Sequence, residues 1–274
     1  MTQYTPPAEK YLKRSLHAFR SYFNPIFFNI EKLDFTRPAL LVGNHTLYAI
    51  DVPLLIHELR QQKQIHVRSL GDRVHLEVPL WRDFLRYAGM LEGTPENCHD
   101  LMGRGESILV FPGGSREVMR RKDDGYTLFW KNRCGFARMA IEHGYDIIPF
   151  ASIGANESFD IHWDAHDIER HPVTQFLIQN LKLEHRVRGG DLFIPFVTGL
   201  GPSLIPRPER FYFSFAERIC TENIEASECN IWQIREQTRS AVEQHITHLL
   251  NYRERDRTEN WSWIRRKLTS KISK

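Results

Sequence analysis

His45 and Asp51 are the side chains whose types could move a proton. The imidazole titrates near neutrality, and the carboxylate six residues on could orient the ring and stabilise its charged form. A gap of six fits neither the i, i+4 face of a helix nor the alternation of a strand, so the two meet only if the chain turns between them. The preceding residues predict such a turn. Ala39-Leu40-Leu41-Val42 is an apolar run that stops at Gly43-Asn44, the pattern of a buried strand reaching its end, where α/β sheets keep their chemistry. A second stretch repeats the arrangement: the apolar run Ser107 to Phe111 leads into Pro112-Gly113-Gly114-Ser115-Arg116-Glu117. Two adjacent glycines allow a tight turn whose N–H groups converge on an anion, and Arg116 adds a planar, permanently charged donor fork. Both stretches also have structural readings: a histidine satisfying a buried carbonyl, Asp51 as the N-cap of the next helix, and a turn with a solvated arginine.

A third cluster comprises His162, Asp164, His166, Asp167 and His171. His162 and His166 have the i, i+4 spacing that holds zinc on a helix, with carboxylates nearby. The first histidine lacks the adjacent glutamate of the H-E-x-x-H pattern, and Asp and His are common in solvated loops, so no metal is expected.

The elements that would position these residues alternate. Pro6-Pro7 opens a helix with Leu12, Leu16, Phe19 and Phe23 on one face, and Lys10, Lys13, Arg14, His17 and Arg20 around the rest. The strand ending at Gly43 is followed by a helix over residues 52–62 and a short strand over Ile65 to Ser69. Pro79 opens an amphipathic helix carrying Leu80, Phe84, Leu85 and Ala88, and residues 95–104 form another. A helix over Phe129 to Gly144 precedes a strand over Asp146 to Ala151, whose Pro149 points to an edge or a strand end. Gly189 to Pro208 is an apolar loop region able to line a pocket or wrap the core. Phe211 to Ala216 is a late strand, and Ile231 to Leu250 a late helix. Strand–helix alternation predicts an α/β fold: a single domain with a central mixed sheet flanked by helices.

The chain has 274 residues, 41% hydrophobic, enough for one large domain. Its four cysteines form no C-x-x-C pair, which fits a reducing, cytoplasmic setting. Residues 38–56 contain one charged side chain, Asp51, yet also two prolines, Asn44, His45 and Thr46. A central Asp alone costs a bilayer helix roughly 2.5–3.5 kcal/mol, so no membrane span is expected there. Net charge is +3, but residues 252–274 carry eight Lys or Arg against three acids. Trp261, Ile264, Leu268 and Ile272 fall on one helical face of this tail, beside Arg265, Arg266, Lys267 and Lys271. With residues 8–23 it forms a possible contact for an anionic membrane surface. Nucleic acid is not expected, because no recognition motif accompanies the charge.

Four blocks occur in order: Gly43-Asn44-His45 to Asp51, Gly71-Asp72-Arg73 to Pro79, Phe111 to Glu117, and Ile147-Ile148-Pro149. Together they resemble the glycerolipid acyltransferase superfamily over residues 30–250. The five residues between His and Asp, and Gly-Gly where the phospholipid branch has Glu-Gly, resemble the monoacylglycerol/diacylglycerol acyltransferase-like branch more narrowly. The resemblance implies a fatty acyl group moved from acyl-CoA or acyl carrier protein to a glycerolipid hydroxyl, with no other cofactor. His45 is then the general base and Asp51 its partner. Asn44, Arg73, Gly113, Gly114, Ser115, Arg116, Glu117 and Pro149 are the substrate-binding candidates, Arg116 for a phosphate. Oxyanion donors could come from the start of the 52–62 helix or from the Gly113-Gly114 turn. A non-catalytic lipid carrier and a thioesterase or lipid hydrolase are the alternatives. The expected location is the cytoplasmic face of a membrane, peripherally attached.

Overall fold

The computed structural model describes residues 9–77, 79–180 and 193–269. In chain order its strands are β1 (Ile26–Phe28), β2 (Ala39–Gly43), β3 (Arg68–Gly71), β4 (Leu91–Glu92), β5 (Ile108–Val110), β6 (Asp146–Ile153), β7 (Asp160–Trp163), β8 (Phe196–Thr198) and β9 (Tyr212–Phe215). Its helices are α1 (Glu9–Phe23), α2 (Val52–Lys63), α3 (Arg73–Glu77), α4 (Trp81–Tyr87), α5 (Pro95–Gly103), α6 (Ser115–Val118), α7 (Gly135–His143), α8 (Ala165–Arg170), α9 (Pro172–Asn180), α10 (Glu228–Glu259) and α11 (Trp263–Thr269).

Seven strands form one mixed sheet in the order β4-β3-β5-β2-β6-β9-β1. From β4 to β6 every pairing is parallel, whereas β9 runs antiparallel to β6 and β1 runs parallel to β9. β2 is buried at all five positions, which is why it reads as an unbroken apolar run rather than an alternation. Leu40, Val42, Ile108 and Ile147 face a core shared with α5, α7 and α10. Ala39, Leu41, Leu109, Ile148 and Phe150 face Phe23 of α1 and Leu54, Leu55 and Leu59 of α2. Each of the Leu, Ile, Val and Phe side chains among these contributes about 1.5–3 kcal/mol of apolar transfer energy. Because β3, β5, β2 and β6 are parallel, the segments that follow them all leave the sheet at the same edge.

The end of α1 docks on the domain: Phe23 is fully buried and stacks on Phe211 at 4.1 Å, and Arg20 pairs with Glu58 of α2 at 3.1 Å. Pro6, Pro7 and residue 8 lie outside the described residues. Several expectations change. β6 is an interior strand, not an edge. Pro149 lacks an N–H where the β9 side is irregular, between the Ile147–Ile219 bridge and the Phe150–Phe215 pair, and its carbonyl still accepts from the Ala216 N–H at 2.8 Å. In the Pro79 segment, Leu80 and Phe84 are exposed rather than core-facing, at 83% and 56%. The late helix runs further than its apolar pattern, to Glu259, so the basic tail divides between α10 and α11. There Trp261 is buried while Ile264 and Leu268 are exposed, and Lys271 and Ile272 lie outside the described residues. No helix among the described residues is long and apolar enough to cross a membrane.

Candidate active site

The turn after β2 is built to bring Asp51 back toward the end of its strand. Tyr48 and Ala49 both have φ of 56°, a left-handed conformation that costs a non-glycine residue on the order of 1 kcal/mol or more. The surroundings hold it. The Leu47 N–H donates to Asn156 Oδ1 at 2.8 Å, and the Tyr48 hydroxyl donates to the Pro195 carbonyl at 2.6 Å. Leu47 packs with Phe159 and Val197, so the β7–β8 ribbon lies under the turn. Asp51 reaches the N-terminus of α2, fully buried, where Thr46 donates its hydroxyl to Oδ1 and Ser152 donates to Oδ2. Asp51 therefore contacts the residue that follows His45. Burial pushes its carboxyl pKa up, and the two hydroxyls offset only part of that rise.

Gly43 and Asn44 set the height of the histidine. A Cβ at Gly43 would lie 2.4 Å from the Phe150 ring, so glycine lets that ring cross the end of β2. Asn44 extends the β2–β6 ladder with its side chain: Nδ2 donates to the Ser152 carbonyl and Oδ1 accepts the Ser152 N–H, both at 2.8 Å. His45 is half-buried, its ring stacked on Phe111 at 4.0 Å, and Phe111 meets Phe150 edge-on.

The turn after β5 closes on the same histidine. Glu117, fully buried, accepts the His45 N–H on Oε2 at 2.7 Å and the Phe129 N–H on Oε1 at 2.8 Å. Arg120 donates to the His45 carbonyl at 3.0 Å and to the carbonyls of Gly125 and Thr127. Burial pushes the Glu117 carboxyl up and the Arg120 guanidinium down, and each opposes the shift of the other. Gly114 has φ +54°, and its N–H is committed to the Phe111 carbonyl at 3.0 Å. Arg133, exposed, lies against this turn: its Nη1 donates to the Pro112 carbonyl and sits 3.1 Å from where a Cβ on Gly114 would stand.

Several expected site residues have other occupations. Arg116 is buried, stacked over Phe129 and paired through both terminal nitrogens with Asp124 at 2.5 and 2.8 Å, so a phosphate there would compete with an existing carboxylate. Ser115 opens the short α6 beside it. Arg73 starts α3 at the same sheet edge, exposed, with Glu77 at 3.5 Å. Pro149 is buried inside β6 beside Val42 and does not reach the edge. Two of the first N–H groups of α2 are engaged: those of Leu54 and Leu55 donate to the Asp51 carbonyl. In the third cluster, Asp164 and Asp167 form the capping box of α8, His162 bonds Thr198, and His166 meets Arg121. Thr46, Arg120, Arg133, Ser152 and Asn156 were not legible as site residues. Only Thr46 and Arg120 carried a sequence signal, being beside the two motifs.

Residues 25–153 match the family model "Acyltransferase". Phytyl ester synthase 2 of Arabidopsis thaliana is 30% identical over 247 residues, which cover 83% of this chain and 34% of that protein. A chicken (Gallus gallus) protein described as a DGAT1/2-independent enzyme synthesizing storage lipids is 28% identical over 120 residues, 44% of this chain and 36% of that protein. The chain thus spans about a third of the length of these relatives. The crystal structure of the 1-acyl-sn-glycerophosphate acyltransferase PlsC from Thermotoga maritima shares the fold, with a TM-score of 0.54 at 13% identity. That match covers 93% of this chain and 81% of the other. The residues that resemble the acyltransferase family, 25–153, hold β1 to β6 and both turns of the site.

Proposed function

We propose that this protein transfers a fatty acyl group from a thioester, acyl-CoA or acyl carrier protein, to a lipid hydroxyl. The observation that carries the reading is a half-exposed imidazole at the end of β2, one residue from a Thr46–Asp51 contact and stacked on the start of the Gly113-Gly114 turn. In this mechanism His45 takes the hydroxyl proton as the oxygen attacks the thioester carbonyl. The buried Asp51 charge stabilises the imidazolium, and the thiol leaves with the proton returned by His45. General-base assistance of this kind is worth about 10²–10⁴-fold. The turn after β5 and the exposed Arg133 beside it supply positive potential for the oxyanion or for an acidic head group. Arg133 takes the anion-binding role in place of Arg116, which Asp124 occupies.

The acceptor in this reading is a glycerolipid such as lysophosphatidate, mono- or diacylglycerol, and the phytyl ester synthase relatives add a long-chain alcohol to the acceptors worth testing. One labelled acyl-CoA offered with each of these in turn, following label transfer and free thiol, is the test. Thiol release that needs an acceptor supports transfer; release without one makes the protein a thioesterase, and tight lipid binding without thiol makes it a carrier. His45→Ala abolishes transfer and moves the unfolding midpoint little, since the ring is half-exposed and its stacking on Phe111 is worth about 0.5–1.5 kcal/mol. Transfer retained in that variant refutes the assignment.

We further propose that α11 rests on an anionic lipid surface, with the domain on the cytoplasmic face. Trp261 and Arg265 fasten the helix: the indole donates to Asp256 at 2.8 Å, and the guanidinium donates to the carbonyls of Tyr22, Phe23 and Pro208. The opposite side presents Trp263, Ile264 and Leu268 to solvent, next to Arg266 and Lys267. An aromatic and aliphatic face flanked by cations suits a headgroup interface. Sedimentation with phosphatidylcholine vesicles, with and without phosphatidylserine, should show serine-dependent binding lost in Trp263→Ala/Ile264→Ser; equal binding of both proteins argues against it.

A further inference from the structure

We infer that Glu117 is a positioning residue for His45, and that Gly113 is glycine in order to leave the Glu117 carboxylate its place. This deepens the acyl-transfer reading and rests on it only for the role of the ring. Glu117 is fully buried, and both of its oxygens accept main-chain N–H groups, of His45 and Phe129. It offers no free face to a substrate. Arg120, three residues on, holds the carbonyl of the same His45 residue. The histidine main chain is thus gripped at N–H and at C=O by two side chains from the segment after β5, while its ring lies on Phe111 from that segment's first turn. A residue held at both main-chain groups, with its ring laid on Phe111, samples few ring orientations, and proton transfer is steep in orientation.

Gly113 has no left-handed φ, unlike Gly114, so conformation does not require glycine there. Space does. A Cβ at 113 would lie 1.9 Å from Glu117 Cδ, 2.2 Å from Oε1 and 2.4 Å from Cγ. These distances lie far inside van der Waals contact, and the obstacle is not a flexible surface end but a carboxylate pinned by two N–H donors. Any side chain at 113 therefore displaces the clamp from the histidine. A C–C bond is about 1.5 Å, so Gly113→Asp would put a carboxylate carbon near the position that Glu117 Cδ now holds. One carboxylate fits at this point, and either position can deliver it.

Turnover and amide exchange test this together. Glu117→Gln keeps the volume but only one acceptor, so its NH₂ faces one of the two N–H donors. Its kcat falls on the order of 10²-fold, the cost of a misplaced reacting group, while KM for thioester and acceptor stays within about twofold of wild type. An unchanged kcat, or a loss confined to acceptor KM, overturns the inference in favour of a substrate ligand. Gly113→Asp alone is inactive, and Gly113→Asp/Glu117→Ala is at least about tenfold more active than Glu117→Ala. A double variant no better than Glu117→Ala, whether folded or not, overturns the shared place. Amide hydrogen exchange at His45 is faster in Glu117→Ala, which keeps neither acceptor, than in wild type. That readout needs no turnover, so an intact protection difference in a protein that transfers nothing would refute the function and spare the clamp. Equal exchange refutes the clamp itself.

Discussion

Asp256→Asn is the substitution whose cost the structure defines most closely. The carboxylate is 2% exposed near the end of α10 and accepts from Arg210 Nη1 at 2.7 and 3.0 Å, the Tyr212 hydroxyl at 2.7 Å, Trp261 Nε1 at 2.8 Å and Asn260 Nδ2 at 3.0 Å. Burial alone would push its pKa up, but the bonds from Tyr212, Trp261 and Asn260 and the charge of Arg210 hold it below the usual carboxylate range. Asparagine leaves the Arg210 guanidinium buried without its counter-charge, and breaking a buried pair in this way costs about 3–5 kcal/mol. At roughly 2 °C per kcal/mol for a chain of this size, the unfolding midpoint falls by about 6–10 °C at pH 7. The pH dependence follows from the direction of the shift. A depressed carboxyl pKa contributes stability that is present above the unfolded value, about 3.9, and is lost as pH falls through the folded one. The gap between wild type and variant therefore closes in acid. In an Arg210→Met background no buried cation is stranded, and the cost of Asp256→Asn drops to about 1–2 kcal/mol. Calorimetry of the four proteins at pH 7 and in steps from pH 4 down to pH 2 measures all of this. A midpoint within 2 °C of wild type, or the same cost in both backgrounds, would refute the reasoning.

Two further outcomes follow from buried groups. Glu209 is 1% exposed, and burial pushes its pKa up from 4.5 to about 7, against the opposing charges of Arg257, Arg253 and Arg207 and with help from Glu157. The folded chain then holds a proton that the unfolded chain has released, so stability falls as pH rises through this window and levels off above it. Glu209→Gln removes that fall, so its advantage over wild type grows between pH 5 and pH 8 toward roughly 3 kcal/mol. A gap independent of pH, read by urea unfolding, contradicts this. Asn44→Ala strands the buried N–H and carbonyl of Ser152 and costs about 1–3 kcal/mol, with acceptor KM unchanged in the folded enzyme. A stable variant with a raised KM would return Asn44 to the substrate.

The strand–turn units were legible because their signals are local. Ala39 to Gly43 and Ile108 to Val110 are buried on both faces, so their apolar runs and terminal glycines mark strand and exit without reference to the rest of the chain. The order of the motifs likewise pointed, before any geometry, to the acyltransferase family whose model residues 25–153 match. What the sequence could not carry was the choice of partner for each polar side chain. Arg116 and Glu117 are neighbours in the same motif, yet one turns to Asp124 and the other, across 72 residues, to the main chain of His45. Leu80 and Phe84 have a core pattern and face solvent, while Trp261 and Ile264 share a predicted face and lie one inside and one out. Spacing along a chain fixes which residues share one element's surface. Parallel adjacency of β2 and β5 decided that the two exits meet, and only that meeting made Gly113, Glu117, Arg120 and His45 one site.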